Sequence, residues 1–479
     1  MCMSTAISAT DTVLERLSRR IVHRRVAMLI ALVSYCFPGK ANQAHALSTL
    51  AASKRPTCAI VGGGIAGLRC AQVLSEKYDV TVFDTGRLRS GGRCTSRLPG
   101  DLPADDQPQY PLLSKFVVDH AAQVLTVPPN EKISKSFANQ VRKWQESGVL
   151  TEFQPGTLFQ VETKKTADGT SSCTLNEFPG VTYYGSQGMG SIPAEMIREK
   201  AFKVIQDVWV SPSNGVKWRS KAGHWTVQAK GESLGSFEHL VIAHNGKCAD
   251  RLMSKTPAKE VHELLRVNFA SSVAKQGGKL MTLNSIYSLS FVLEKDSVLS
   301  QRLPPSFKGA FLQNEKLRFL TCQTRKYESQ DNADYEVWTL LSSALFAKKY
   351  KAPQEYLPGD VVHNVTNLLL RSLESSVTLP KESLQPVESR LQLWGAALPL
   401  NTWDNGNDFI YDDNFKVGVC GDWLCHSSIG GAWVSGERLG RHMLQANPQT
   451  VGMKGKFRRS EETHRGGIGS LSPRSAVAN

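Results

Sequence analysis

The sequence predicts an α/β fold in which a parallel sheet is combined with an antiparallel α+β region. Three observations predict it. The first is the stretch 57–97. It opens on the apolar run Cys58-Ala59-Ile60-Val61, passes through Gly62-Gly63-Gly64-Ile65-Ala66-Gly67, and continues with Leu68, Ala71, Val73 and Leu74 at helical spacing. A second apolar run then begins at Asp79 and ends on the acid Asp84. The second observation is a pair of later runs without alternation, Leu240-Val241-Ile242-Ala243 and Val417-Gly418-Val419-Cys420, the latter closed by Gly421-Asp422. Strands covered on both faces read this way, as in parallel sheets. The third is the change of character between 251 and 393. There, β-runs such as 287–293 and 335–341 alternate, and 360–375 has helical spacing.

The glycine turn matches G-x-G-x-x-G between a strand and a helix, and each position has a physical task. Gly62 permits the tight turn, Gly64 lets backbone approach a pyrophosphate, and Gly67 lets helix and strand pack closely. The amino end of the helix, at Ile65 and Ala66, presents unpaired N–H groups and partial positive charge to phosphates. Asp84 follows Gly62 by 22 positions, the separation of an acid that accepts from an adenosine ribose. A dinucleotide is therefore expected. Gly91-Gly92-Arg93, followed by Thr95 and Ser96, is a second glycine element that resembles flavoproteins of the amine-oxidase and glutathione-reductase type. That resemblance implies FAD.

The charge balance argues against a nucleic-acid surface on the folded part. The formal charge is +14 over 479 residues, but residues 1–57 supply +6 and residues 451–479 supply +4, which leaves +4 for everything between. None of the ten cysteines forms C-x-x-C and no His pairing has zinc spacing, so neither a disulfide framework nor a metal site is expected.

Residues 1–56 read as a targeting segment. Val13, Leu14, Leu17 and Ile21 line one helical face, Arg16, Arg19, Arg20 and Arg24 surround it, and Asp11 and Glu15 are the only acids. The apolar run 26–36 is too short to span a bilayer comfortably, follows Arg24-Arg25 and precedes Ala44-His45-Ala46. This order resembles a bipartite plastid signal, with the stroma or thylakoid lumen as destination; a mitochondrial presequence or a basic tail is the other reading. No other stretch approaches transmembrane length. Further along, 99–111 reads as a surface loop, 133–144 as a helix, and 153–184 as β-rich with a turn at Ala167-Asp168-Gly169. The segment 185–200 reads as a turn into a helix, and residues 451–479 lack periodicity, so a disordered tail is expected.

Taken in order, these elements resemble renalase-like flavoproteins of the amine-oxidase superfamily from about Cys58 to Leu444. Asp119-His120-Ala121-Ala122-Gln123 is similar to the family's D-H-G-A-Q, with Ala121 where the family has Gly. Tyr184-Gly185 with Gly188-Met189 is similar to its Y-x-G-x-x-G-M element. Cys420-Gly421-Asp422-Trp423 through Gly431-Ala432-Trp433-Val434-Ser435-Gly436 is similar to its closing motif. The resemblance implies a discontinuous Rossmann-like FAD-binding domain (57–125, 185–250 and 394–450) with an inserted antiparallel α+β substrate domain (126–184 and 251–393). It also implies hydride transfer to FAD.

The expected cofactor contacts are Gly62, Gly64, Ile65, Ala66, Gly67, Asp84, Gly91, Gly92, Arg93, Gly421, Asp422, Gly431, Ala432 and Trp433. Asp422 also fits a helix cap. Gly430 and Gly431 open a helix whose amino end is expected to meet charge on the reduced ring. His120, Gln123, Trp394 and Trp423 are the candidate pocket residues, and no acid–base residue is assigned. Cys425 and His426 lie where covalent attachment is conceivable but match no attachment pattern, so FAD is expected to be non-covalent. The function expected is an FAD-dependent oxidoreductase acting on a small reduced organic substrate. An NAD(P)H-linked reductase, an isoprenoid desaturase and a non-catalytic flavin-stabilised plastid assembly factor are the alternatives. Substrate identity, electron acceptor and oligomeric state are not legible.

Overall fold

The parallel strands are buried on both faces because each side chain of the first strand has a different core to enter. In Thr57–Val61, Cys58 and Ile60 belong to one apolar cluster, and Ala59 and Val61 to another on the opposite face. The structure, a computed structural model, describes residues 55–101, 109–127, 135–165, 171–198, 201–312, 314–330, 334–354 and 356–460. Residues 1–54 of the expected targeting segment, the expected turn at 167–169 and the chain beyond 460 lie outside the described residues. So do parts of the expected loop 99–111 and helix 133–144. Among the described residues no helix is long and apolar enough to cross a membrane.

The main sheet has six strands, ordered Lys203–Ile205, Asp79–Phe83, Thr57–Val61, His239–Ile242, Val417–Val419 and Ile410–Asp412. The first five are parallel, and the last returns antiparallel to its neighbour. One face is covered by the helices Ile65–Leu74 and Ile429–Met443. These two helices approach closely at glycines: a Cβ on Gly436 would stand 2.1 Å from the Ala66 carbonyl oxygen, and one on Gly440 would stand 2.8 Å from Val73 Cβ. The other face packs against the three-stranded sheet Val216–Arg219, His224–Ala229 and Glu232–Phe237, through Trp225, Val227 and Phe237.

A second sheet of seven strands runs Glu388–Trp394, Ile286–Glu294, Tyr335–Ser342, Leu317–Cys322, Gly309–Leu312, Leu158–Lys165 and Ser171–Glu177. It is antiparallel except where 309–312 lies parallel to 158–165. Helix Gly359–Val377 covers one face, burying Val365, Leu369, Leu373 and Val377 with Leu289, Phe291 and Leu340.

Two expected boundaries are corrected. Residues 251–283 do not join the seven-stranded sheet. Leu252, Met253, Val261, Leu265, Met281 and Leu283 pack in the same cluster as Val61, Phe83 and Ile242, so this stretch covers the parallel sheet. Nor does the expected tail begin at 451. Lys456–Arg459 pairs antiparallel with Asn401–Asp404, and Phe457 packs on Trp403 with ring centroids 4.9 Å apart. A strand this short, with Phe457 as its one large apolar residue, has no periodicity of its own; pairing with 401–404 and packing on Trp403 give it a place.

Candidate active site

The glycine turn sits at the carboxyl end of the first strand, and each glycine there meets a different constraint. Gly62 has φ 115°, and a Cβ on it would meet the Ala243 backbone at 2.9 Å. Gly67 has no room for one either, because the Gly62 carbonyl oxygen would lie 2.0 Å away. Gly64 is different. Its backbone is extended, it precedes helix 65–74 without a side-chain cap, and a Cβ there would meet no protein atom within 4 Å. Packing therefore does not demand glycine at Gly64; the space in front of the helix does. Ile65 and Ala66 turn their side chains into the core and leave their N–H groups at that helix start.

Asp84 stands over Gly63, whose Cβ would lie 2.7 Å from Oδ2. The Asp84 carboxylate is buried, and Oδ2 has no hydrogen-bond partner among the described residues. A buried acceptor left unpaired costs about 1–3 kcal/mol, more for a charged group. A ribose hydroxyl is the donor that such an acceptor in this position fits. An uncapped helix start, an open glycine and an orphaned acid together fit a dinucleotide.

Gly91 and Gly92, with φ 136° and 57°, carry the chain past this turn; Gly91 forms an isolated bridge with Gly64. Arg93 Nη1 donates to Asp422 Oδ2 at 2.8 Å and to the Ala397 carbonyl at 2.6 Å. The aspartate thus neither caps its own short helix nor stands alone; it fixes Arg93 to the last segment of the chain. The Gly421 N–H is taken by Ser435 Oγ at 3.0 Å, and a Cβ on Gly421 would meet the Trp423 indole at 3.0 Å.

Three expectations in the closing motif are corrected. Gly431 is glycine because a Cβ would stand 1.9 Å from the His426 carbonyl, and its N–H is capped by Ser428 Oγ at 3.0 Å. That donor is occupied, so the helix end has one group fewer to offer a ring. The next residue, Ala432, donates from its N–H to the Ser428 carbonyl at 3.0 Å. The Trp433 side chain points into the core, under the Arg69 guanidinium at 4.2 Å and against Phe137. Trp423 is also core, fully buried and packed in one cluster with Trp403, Leu283 and Val419.

His120 and Trp394 are brought together. Their rings stack with centroids 5.6 Å apart at 8°, and Trp394 Nε1 donates to the His120 carbonyl at 2.9 Å. Burial, reinforced by the charge of Arg97, pushes the His120 imidazole down to about 3. Gln123 is corrected: it is buried, donates to the Asp119 and Ala121 carbonyls, and accepts from Gln323 Nε2 at 3.1 Å. Its amide holds the turn rather than a ligand.

The sequence reading missed the group at the centre of this turn. Asp119 Oδ2 accepts from Lys326 Nζ at 2.6 Å and from the Tyr327 hydroxyl. Its Oδ1 accepts from Ser96 Oγ at 2.5 Å and from Met189 N at 2.8 Å. Lys326 Nζ donates also to the Gln123 carbonyl at 2.6 Å, and burial lowers its proton affinity. Both charged side chains are fully buried. Lys326 lies in the polar segment Gln323–Gln330, where a lysine normally reads as solvated, so the sequence carries no signal for it. Tyr327 also lines a cleft of ≈ 220 Å³ with Leu98, Pro99, Val117 and Gln187.

The family described as an NAD(P)-binding Rossmann-like domain matches residues 60–141. A solved putrescine oxidase variant is similar to this chain at 13% identity and a TM-score of 0.50, over 81% of this chain and 99% of that one. Cyclohexylamine oxidase from Brevibacterium oxydans IH-35A has 10% identity and a TM-score of 0.49, over 81% and 98%. The halogenase PltM has 11% and 0.45, over 83% and 72%. What this chain shares with the putrescine oxidase is a fold: mixed α/β with a Rossmann-like dinucleotide-binding part.

Proposed function

We propose that this protein is an FAD-dependent oxidoreductase of the amine-oxidase-like class, renalase-like in its motifs, that takes hydride from a small reduced organic substrate. The observation that carries the reading is Asp84, a buried carboxylate with an unpaired oxygen beside the open, uncapped start of helix 65–74. Gly91-Gly92-Arg93 adds the flavoprotein element, and Arg93 is held in place by Asp422. Bound FAD supplies a two-electron acceptor.

The chain's own residues bind and orient. Asp84 would accept from the ribose, and the N–H groups of Ile65 to Gly67 would hold the pyrophosphate. Arg93 closes the site against the Ala397 carbonyl. Trp394, stacked on the buried His120, is the half-buried flat ring available to a substrate. The cofactor is non-covalent: Cys425 is buried and the His426 ring is engaged with Ser428 at 2.8 Å.

The test is the flavin content of Gly64→Val. Valine suits the extended backbone of Gly64 and meets no protein atom, so the variant is expected to fold with unchanged stability and to lose its yellow absorbance. Wild-type protein purifying without flavin, or Gly64→Val retaining it in full, contradicts the reading.

A further inference from the structure

The last strand returns charge to the folded body. Of the six cations in residues 451–479, Lys454, Lys456, Arg458 and Arg459 lie in that strand or just ahead of it. Phe457 is buried, so its neighbours Lys456 and Arg458 point outward, and Lys454 is exposed as well. The loop 270–280 presses against the same strand. A Cβ on Gly277 would stand 2.1 Å from the Phe457 carbonyl oxygen and 2.7 Å from Arg458 Cα. Asn401 Nδ2 ties the loop to the partner strand, donating to the Gly277 and Leu280 carbonyls at 2.5 and 2.8 Å. Lys275 and Lys279, two residues to either side of Gly277, are exposed. Five exposed cations therefore gather around one two-stranded ribbon, 401–404 with 456–459.

Little on this ribbon offsets them. Segments 270–280, 396–406 and 446–460 hold one acid, Asp404, and it pairs with Arg458. Asp408, the next acid along the chain, is taken by Arg438. The aromatic residues here, Trp403 and Phe457, face the core, and no large apolar side chain of these segments is exposed.

Charge without an apolar anchor selects among partners. Protein interfaces are built around aromatic and apolar anchors and are poor in lysine. An anionic bilayer requires neither pocket nor anchor, because each Lys or Arg near its surface is attracted on its own. We infer that the ribbon and the flanking loop 270–280 dock on an anionic lipid bilayer surface. The contact is peripheral and electrostatic, with no side chain inserted. It stands apart from the FAD reading, and flavin content does not enter its test.

Co-sedimentation of the full chain with vesicles is that test. Phosphatidylcholine vesicles with about one-third phosphatidylserine are expected to bind, and phosphatidylcholine alone is not; salt raised to about 0.5 M is expected to release the protein. Residues 1–54 are basic too and stay in every variant, so the comparison between variants decides. Lys454→Gln with Lys456→Gln is expected to weaken phosphatidylserine binding about thirtyfold. Lys348→Gln with Lys351→Gln removes the same charge from exposed positions at the end of helix Ala344–Lys349, and is expected to change binding less than about threefold. The inference is overturned if the wild type ignores phosphatidylserine, if the ribbon variant binds as the wild type does, or if the helix variant loses as much. A ribbon variant that loses affinity for polyglutamate but keeps it for vesicles makes an acidic protein the occupant. Glu461 and Glu462 follow in the chain, outside the described residues. Vesicle binding that appears only after Glu461→Gln with Glu462→Gln would mean that the chain covers its own ribbon, and this too overturns the inference.

Discussion

His120 shows how burial turns one residue into a pH dependence of the whole chain. The imidazole is 9% exposed, roofed by Trp394 and near Arg97, and it is held down to about 3. His239, buried beside Tyr78, is likewise pushed down to about 4. In the unfolded chain both bind a proton near 6.5. Between the folded and unfolded values the unfolded state holds more protons, so stability rises with pH through this window and is lost as pH falls below about 6.5. For His120 the loss between pH 7 and pH 5 amounts to about 2 kcal/mol. Urea midpoints are expected to fall over that range, and His120→Gln to flatten the dependence. An identical slope in the variant would show that His120 is protonated in the fold.

At the scale of elements, the two helices over the parallel sheet place the cofactor turn. Helix 429–443 lies against 65–74 through Gly436, so close that the Ala66 carbonyl leaves no room for a methyl group. Glu437 ties them beside that contact, accepting from Arg69 Nη2 at 2.9 Å and from Ser136 at 2.7 Å. Gly436→Ala must push the helices apart, an overpacking that costs about 1–3 kcal/mol. Because it shifts the residue adjoining the helix start, flavin content is expected to fall together with the melting temperature. This outcome contrasts with Gly64→Val, where flavin alone is lost. A Gly436→Ala protein of wild-type stability would mean that the helices already stand farther apart.

Across the whole molecule, Asp119 gathers chain from four places: Ser96, the turn at Met189, its own segment, and Lys326 with Tyr327 behind the seven-stranded sheet. A buried pair contributes little net stability when intact, but losing one charge strands the other, at about 3–5 kcal/mol. Lys326→Met is therefore expected to destabilise by that amount in denaturant titrations. Adding Asp119→Asn to it should recover part of the loss, since the stranded charge is gone. If the double variant is no more stable than the single one, the pair is not what joins these segments.

The sequence by itself determined the parallel sheet and its ligand end. Runs such as 58–61 and 240–243 are apolar at every position, which only a strand covered on both faces tolerates, and the spacing from Gly62 to Asp84 is a local property of strand, turn and helix. Tertiary structure decided what depends on neighbours far along the chain. It sent 251–283 to the parallel sheet and paired 456–459 with 401–404, because short strands take their place from a partner rather than from their own pattern. It turned Trp423, Trp433 and Gln123 into packing residues, since neither an indole nor an amide carries in its sequence position the direction in which it points. It also buried Lys326 on Asp119, 207 residues away in the chain, and set Arg97 and Arg390 along one crevice. A charge reads as solvated until the fold supplies its counter-charge, and that pairing exists only in three dimensions.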